Sequence, residues 1–170
     1  MEQQTQAYKI FTKIGLNNWH YIDRKVLNLN ESINFFTGHS GSGKSTVIDA
    51  MQIVLYANTD GRGFFNKAAA DDSDRSLIEY LRGMINIGEN NQISYRRNQN
   101  FSSTIVLEME QSATKEKECV GVAFDVDTST NEIGRLFFWH KGGMIPGDYR
   151  TGERTMTTGE VREYLQKHFP

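Results

Sequence analysis

Cysteine is nearly missing from this 170-residue chain, where Cys119 stands alone. A single cysteine cannot close an internal disulfide, and no paired cysteine spacing exists for a zinc site, a composition suited to a reducing compartment. Proline is scarce as well, at two residues, and 24% of the chain is charged, so neither a proline-rich linker nor wholesale disorder is expected. No apolar run approaches the roughly eighteen residues that a membrane span needs. The polar N-terminal segment, Met1 to Gln6, lacks the basic and apolar regions of a secretory signal. Nor does one sign of charge dominate. Nineteen basic against twenty-one acidic residues leave a net charge of -2, so any nucleic-acid contact would have to come from a local patch. These absences predict a soluble, cytoplasmic protein with no membrane partner, folded as one domain over residues 1–170 with its own core.

What the chain does contain is a glycine-rich segment of defined spacing. Gly38-His-Ser-Gly-Ser-Gly-Lys-Ser45 fits G-x-x-x-x-G-K-[ST] at every fixed position. Gly38, Gly41 and Gly43 allow backbone conformations that a side chain would forbid, so successive N–H groups can turn inward toward phosphate oxygens. The segment from Gly38 through His39, Ser40, Gly41, Ser42, Gly43, Lys44 and Ser45 to Thr46 is therefore the expected phosphate cradle, with His39 contributing mainly its backbone N–H. Lys44 is expected to reach the β- and γ-phosphates, and the Ser45 hydroxyl to ligate Mg2+. A short apolar strand, Ile33 to Phe36, precedes the loop. A helix over 44–56 follows it, with Val47, Ile48, Met51, Val54 and Leu55 on one stripe and its positive dipole end facing the anion. The expected ligand is ATP with Mg2+. Guanine selection is disfavoured, because Asn66-Lys67 is followed by Ala69 where an N-K-x-D pattern needs aspartate.

The surroundings read mostly as strands. Tyr8 to Ile14 and Tyr21 to Leu29 read as strands, and the alternation in Val26-Leu-Asn-Leu-Asn30 suits a half-exposed antiparallel one. A polar excursion covers 57–74, and Asp74 to Arg82 reads as a short helix stopped by Gly83. Ser103–Glu110, Glu118–Val126 and Ile133–Trp139 form a predicted antiparallel meander over about 102–140. Thr157 with Glu160 three residues on makes a capping box that opens a terminal helix over about 158–168. Val120-Gly-Val-Ala-Phe-Asp125 is the only segment resembling the acid-ended strand of a complete NTPase. Its alternation predicts a half-exposed antiparallel strand, with Asp125 in an ordinary structural role. No catalytic residue is thus expected in the chain. Trp19 and Tyr21 are candidates either for stacking on adenine or for the core. Cys119 reads as a small buried apolar residue, while His20, His140 and His168 have no ligand spacing.

The run from Asn34 to Tyr56, with Asp49-Ala50 in the helix after the loop, resembles the N-terminal lobe of an SMC-type ABC ATPase head. The polar excursion and Asp74-Arg-Ser-Leu-Ile-Glu-Tyr-Leu-Arg-Gly83 are most similar to the MukB/MksB/JetC (Wadjet) condensin-like family. The resemblance implies an α/β P-loop NTPase half-head with an antiparallel β subdomain and few helices. It also implies partners: a C-terminal lobe of the same head carrying the signature motif and acidic residues, a second head forming a dimer, DNA, and kleisin-type and accessory subunits. This chain has no L-S-G-G-like segment and no sustained heptad run, so near-zero ATP hydrolysis is expected from it alone. By position, Arg82 resembles an arginine that couples DNA contact to nucleotide state, and Arg75, Arg96 and Arg97 could extend that surface. The basic residue that such heads carry in the early strand has no counterpart in Leu16-Asn-Asn-Trp-His-Tyr21. Two other functions remain open from the sequence. A self-sufficient P-loop phosphotransferase or kinase would show strand–helix alternation after the loop, and a partner-docking module would use the sheet.

Overall fold

The computed structural model describes residues 7–30, 44–56, 77–87 and 92–170. Strands β1 (Lys9–Trp19) and β2 (Ile22–Asn28) come first, then helices α1 (Lys44–Tyr56) and α2 (Leu77–Arg82). A short hairpin of β3 (Met84–Ile87) and β4 (Gln92–Tyr95) precedes the long strands β5 (Phe101–Gln111), β6 (Lys117–Asp127) and β7 (Glu132–Lys141). A small hairpin, β8 (Arg150–Thr151) and β9 (Arg154–Thr155), leads into α3 (Thr158–His168). The predicted strand Ile33–Phe36 and the excursion 57–74 lie outside the described residues.

Among the described residues the main sheet has the order β2-β1-β5-β6-β7, and every neighbouring pair is antiparallel. The meander β5-β6-β7 follows the sequence pattern. The strand–helix alternation that a self-sufficient phosphotransferase would need after its loop is not what these residues form. β1 runs five residues beyond the predicted Ile14. Gly15, Asn17 and Asn18 are poor strand formers by propensity, but tertiary hydrogen bonds override it. Asn17 Nδ2 donates to Thr104 Oγ1 at 2.9 Å and to the Asp148 carbonyl at 2.9 Å, and Asn18 Nδ2 donates to the Ser102 carbonyl at 2.9 Å.

Both faces of the sheet are covered. On one, Ile14, Leu16, Ile105, Leu107, Val122, Phe124 and Val126 pack against Val47, Ala50 and Ile53 of α1 and against Leu77, Tyr80 and Leu81 of α2. On the other, Val106, Cys119 and Ala123 pack against Ile145, Tyr149, Met156 and Val161 of the C-terminal segment. The half-exposed β6 expected from its alternation is therefore overturned. Cys119 and the stretch Gly121–Phe124 are buried from both sides, because the chain from Ile145 to α3 returns over the second face. Gly121 makes room there for a ring, since a Cβ would lie 2.6 Å from Phe138 Cζ. Cys119 is fully buried, as expected, and burial pushes its thiol up to about 12, which leaves it chemically inert.

Buried polar groups tie the second face together. Glu108 on β5 accepts from Thr12 Oγ1 at 2.8 Å and from the Met144 N–H at 2.9 Å, with Lys117 Nζ 3.6 Å away. Burial alone would raise its carboxyl, but the Met144 N–H, the Thr12 hydroxyl and Lys117 outweigh that and hold it below the usual range. His140 Nε2 and the Tyr149 hydroxyl lie 2.6 Å apart, and Phe169 stacks on the His140 ring at 4.8 Å.

Two ends are built as their sequences predict. Gly83 closes α2 with φ +68°, and a Cβ there would come within 2.5 Å of the His20 carbonyl oxygen. Gly83→Ala is therefore expected to cost about 2 kcal/mol or more, combining left-handed strain with that clash. A chemical-denaturation midpoint matching the parent's would rule the strain out. Thr157 caps α3 by accepting from the Glu160 N–H, and the Glu160 carboxylate accepts from the Thr157 N–H in return. Arg154 grips both oxygens of that carboxylate at 2.6 and 2.9 Å. Arg154 first, and the Thr157 N–H second, bring the Glu160 carboxyl down to about 2. A depressed carboxyl stabilises the fold above its unfolded value of about 4.3 and loses that contribution as pH falls toward its folded value. Acid denaturation of Glu160→Gln should accordingly show a shallower loss of stability between about pH 4 and pH 2 than the parent. Identical acid curves would contradict this.

Candidate functional site

Of the expected phosphate cradle, Gly38, His39, Ser40, Gly41, Ser42 and Gly43 lie outside the described residues. Lys44 and Ser45 are the first two residues of α1, and Thr46, also in its first turn, is buried. The helix forms where predicted, but the face it buries is rotated. Val47, Ala50 and Ile53 are buried together with Thr46 and Asp49, while Ile48 is 41% and Leu55 48% exposed. Val47 is buried and Met51 and Val54 pack partly buried against the same core, as predicted, while Ile48 and Leu55 turn outward because the buried face also takes in a carboxylate and a hydroxyl, which a hydrophobic pattern assigns to solvent.

The carboxylate is buried because it is paired. Tyr80 of α2 donates its hydroxyl to Asp49 Oδ2 at 2.6 Å. Trp19, at the end of β1, is fully buried and donates its indole N–H to the Thr46 carbonyl oxygen at 2.9 Å. The Trp19 and Tyr80 rings stack with centroids 5.0 Å apart. A chain of contacts thus runs from β1 through Trp19 to the first turn of α1, and from α2 through Tyr80 to its second. The core alternative for Trp19 holds, since a ring enclosed in this way is not available for stacking on a base. Tyr21 is 38% exposed.

The consequence is a helix N-terminus fixed in position. The backbone N–H groups of a helix's first turn lack intrahelical acceptors and carry the positive end of its dipole. No acidic residue occupies the first turn of α1, so nothing in that turn repels an anion. This arrangement suits polyphosphate binding just where the glycine-rich motif ends.

The sequence's other candidates are placed differently. Asp125 Oδ1 accepts from Ser102 Oγ at 2.7 Å and the Thr158 N–H at 3.0 Å, and Oδ2 accepts from Thr158 Oγ1 at 2.6 Å. It fastens the start of α3 to the sheet, the structural role expected of it. Arg82 is a clamp. Its Nε donates to the Arg97 carbonyl at 3.2 Å, Nη1 to Asn131 Oδ1 at 2.9 Å, and its guanidinium sits 4.1 Å from the Tyr95 ring centroid. Arg97 is more deeply committed. It donates to the carbonyls of His20, Leu81 and Ile22 at 2.6, 2.9 and 2.9 Å and pairs with Asp23 at 3.2 Å. Burial brings its guanidinium down to about 10, with Asp23 opposing. Arg96 also faces Asp23, at 3.3 Å, and Arg75 lies outside the described residues. The sequence offered no sign of the Trp19–Thr46 and Tyr80–Asp49 links, because they join residues 27 and 31 positions apart.

Residues 11–72 match the family model described as the P-loop containing region of AAA domain. That match supports a P-loop NTPase domain. The matched span takes in most of β1, all of β2, the glycine-rich motif and α1, and it points to nucleotide binding, with Mg2+ as such domains use it. No curated protein matches the chain. Among the described residues, no helix is long and apolar enough to cross a membrane.

Proposed function

We propose that the chain is the ATP-binding N-terminal part of an SMC-like, condensin-type ATPase of the MukB/MksB/JetC kind, cytoplasmic and acting on DNA in chromosome organisation or anti-plasmid defence. The observation that carries this is the placement of α1. A helix beginning at the motif lysine rests on a sheet that is antiparallel throughout its described strands, and Trp19 and Tyr80 hold its first two turns. An antiparallel sheet under the P-loop helix favours an ABC- or SMC-like half-head over a self-sufficient phosphotransferase. In this function Ser45 ligates Mg2+, and the acidic and signature residues for hydrolysis come from the C-terminal lobe and a second head. Kleisin-type and accessory subunits complete the assembly. Arg82 is the proposed DNA contact, a role added to its clamp.

Titration of the chain with Mg-ATP should show saturable binding that GTP matches only weakly, and a phosphate-release assay should show almost no turnover. Absence of Mg-ATP binding, or steady turnover by the chain alone, would overturn the proposal. For the DNA role, Arg82→Lys keeps charge while losing the forked donor geometry. It should reduce DNA affinity less than Arg82→Ala, and equal DNA affinity in both variants and the parent would remove Arg82 from the interface.

A further inference from the structure

We infer that the outer edge of β7 is a self-complementary surface through which two copies of this chain join their sheets. The two edges of the main sheet are built differently. β2 carries consecutive Asp23, Arg24 and Lys25, of which Asp23 and Arg24 are tied down in the pairs Arg24–Asp148, Arg96–Asp23 and Arg97–Asp23. Charges of this kind blunt an edge against strand addition. β7 is ten residues long and carries Phe137, 39% exposed, and Trp139, 53% exposed. No strand among the described residues pairs with its outer side.

The backbone fixes which groups face outward. At one end of β7 the Gly142 N–H donates to the Lys117 carbonyl, and at the other the Asn131 N–H closes the turn onto Asp127, beside the Asp127–Glu132 pair. In an antiparallel ladder, hydrogen-bonded and non-bonded positions alternate. Even-numbered residues of β7 therefore bond to β6, and the N–H and C=O groups of Ile133, Arg135, Phe137, Trp139 and Lys141 turn away from it. At the ends, the Ile133 carbonyl receives Arg135 Nη1 at 3.5 Å and the Lys141 carbonyl lies 2.8 Å from His140 Nδ1. Arg135, Phe137 and Trp139 make up the middle of the ladder.

A two-fold axis normal to the sheet through Phe137 uses this whole ladder. It keeps every side chain on its own face and sets Phe137 opposite its copy, Arg135 opposite Trp139, and Ile133 opposite Lys141. Phe137 then meets Phe137, an aromatic cross-strand pair at the centre of the joined ladder. The Trp139 indole N–H donates to Glu118 Oε2 at 3.1 Å, which fixes the ring beside the edge. The five side chains lie on the face that carries α1, yet α1 rests on β5 and β6, not on β7.

This association is independent of the nucleotide function, so its test uses the full chain without ATP, in both the parent and the Lys44→Ala background. Light scattering after size exclusion, at micromolar concentrations, should give the mass of two chains, falling to one on dilution, with Trp139 fluorescence shifting to longer wavelength. Phe137→Lys and Phe137→Glu each place like charges at the two-fold axis and should give the mass of one chain. An equimolar mixture of the two should regain the mass of two chains. A parent at the mass of one chain throughout overturns the inference. So does a dimer indifferent to both Phe137 variants, or a mixture that stays monomeric.

Discussion

Lys44→Ala is expected to weaken Mg-ATP binding by about a hundredfold or more while leaving the melting temperature close to the parent's. A lysine bridging the β- and γ-phosphates makes charge-assisted hydrogen bonds worth about 1.5–3 kcal/mol each. Losing two of them corresponds to at least two decades in affinity, at about 1.4 kcal/mol per decade. Stability should barely move, because position 44 opens a helix and alanine is the best helix former. Calorimetric titration beside a thermal melt separates the two effects. Unaltered affinity would mean that the motif does not hold phosphate.

The largest stability loss is expected from Trp19→Ala. The ring is fully buried, stacked on Tyr80, and hydrogen-bonded to the Thr46 carbonyl. Truncating a buried aromatic to alanine costs about 3–5 kcal/mol, a large share of the roughly 5–15 kcal/mol by which a domain is stable. Trp19→Phe separates packing from the tie. It keeps an aromatic ring beside Tyr80 but removes the N–H, and should cost about 1 kcal/mol or somewhat more. In conditions where Trp19→Phe stays folded, its Mg-ATP affinity should also fall, because the first turn of α1 has lost its tether to β1. A phenylalanine variant equal to the parent in both urea midpoint and ATP affinity would show that the tether carries nothing.

What the sequence made legible was local. The glycine-rich motif, the helix after it, the β5-β6-β7 meander, the Gly83 stop and the Thr157–Glu160 capping box each rest on residues a few positions apart, where turn chemistry and periodicity act directly. The buried face of α1 was predicted only in part (Val47, Met51 and Val54, but not Thr46 or Asp49) because Asp49 is stabilised by a tyrosine far along the chain, and β1 was drawn short because Asn17 is satisfied by Thr104 and Asp148. Burial of β6 on both faces depends on the return of the segment around Ile145 and Tyr149, which strand alternation cannot foresee. The hairpins β3–β4 and β8–β9 have strands of only four and two residues, too short for a period to register. For the site, the motif named the candidate phosphate-binding residues, and the structure supplied the Trp19 and Tyr80 contacts that hold the first two turns of α1.

The position of β1 between β2 and β5 has a consequence for biosynthesis. A ribosome that has reached Tyr95 has already delivered the whole Gly38–Thr46 motif, along with Trp19 and Tyr80. It has delivered nothing of β5 and β6, the floor on which α1 lies. At about 5–20 residues per second, the nascent chain waits several seconds with the motif made and its helix unsupported. The first turn of α1 is therefore seated late in the life of this polypeptide, once β5 and β6 have emerged.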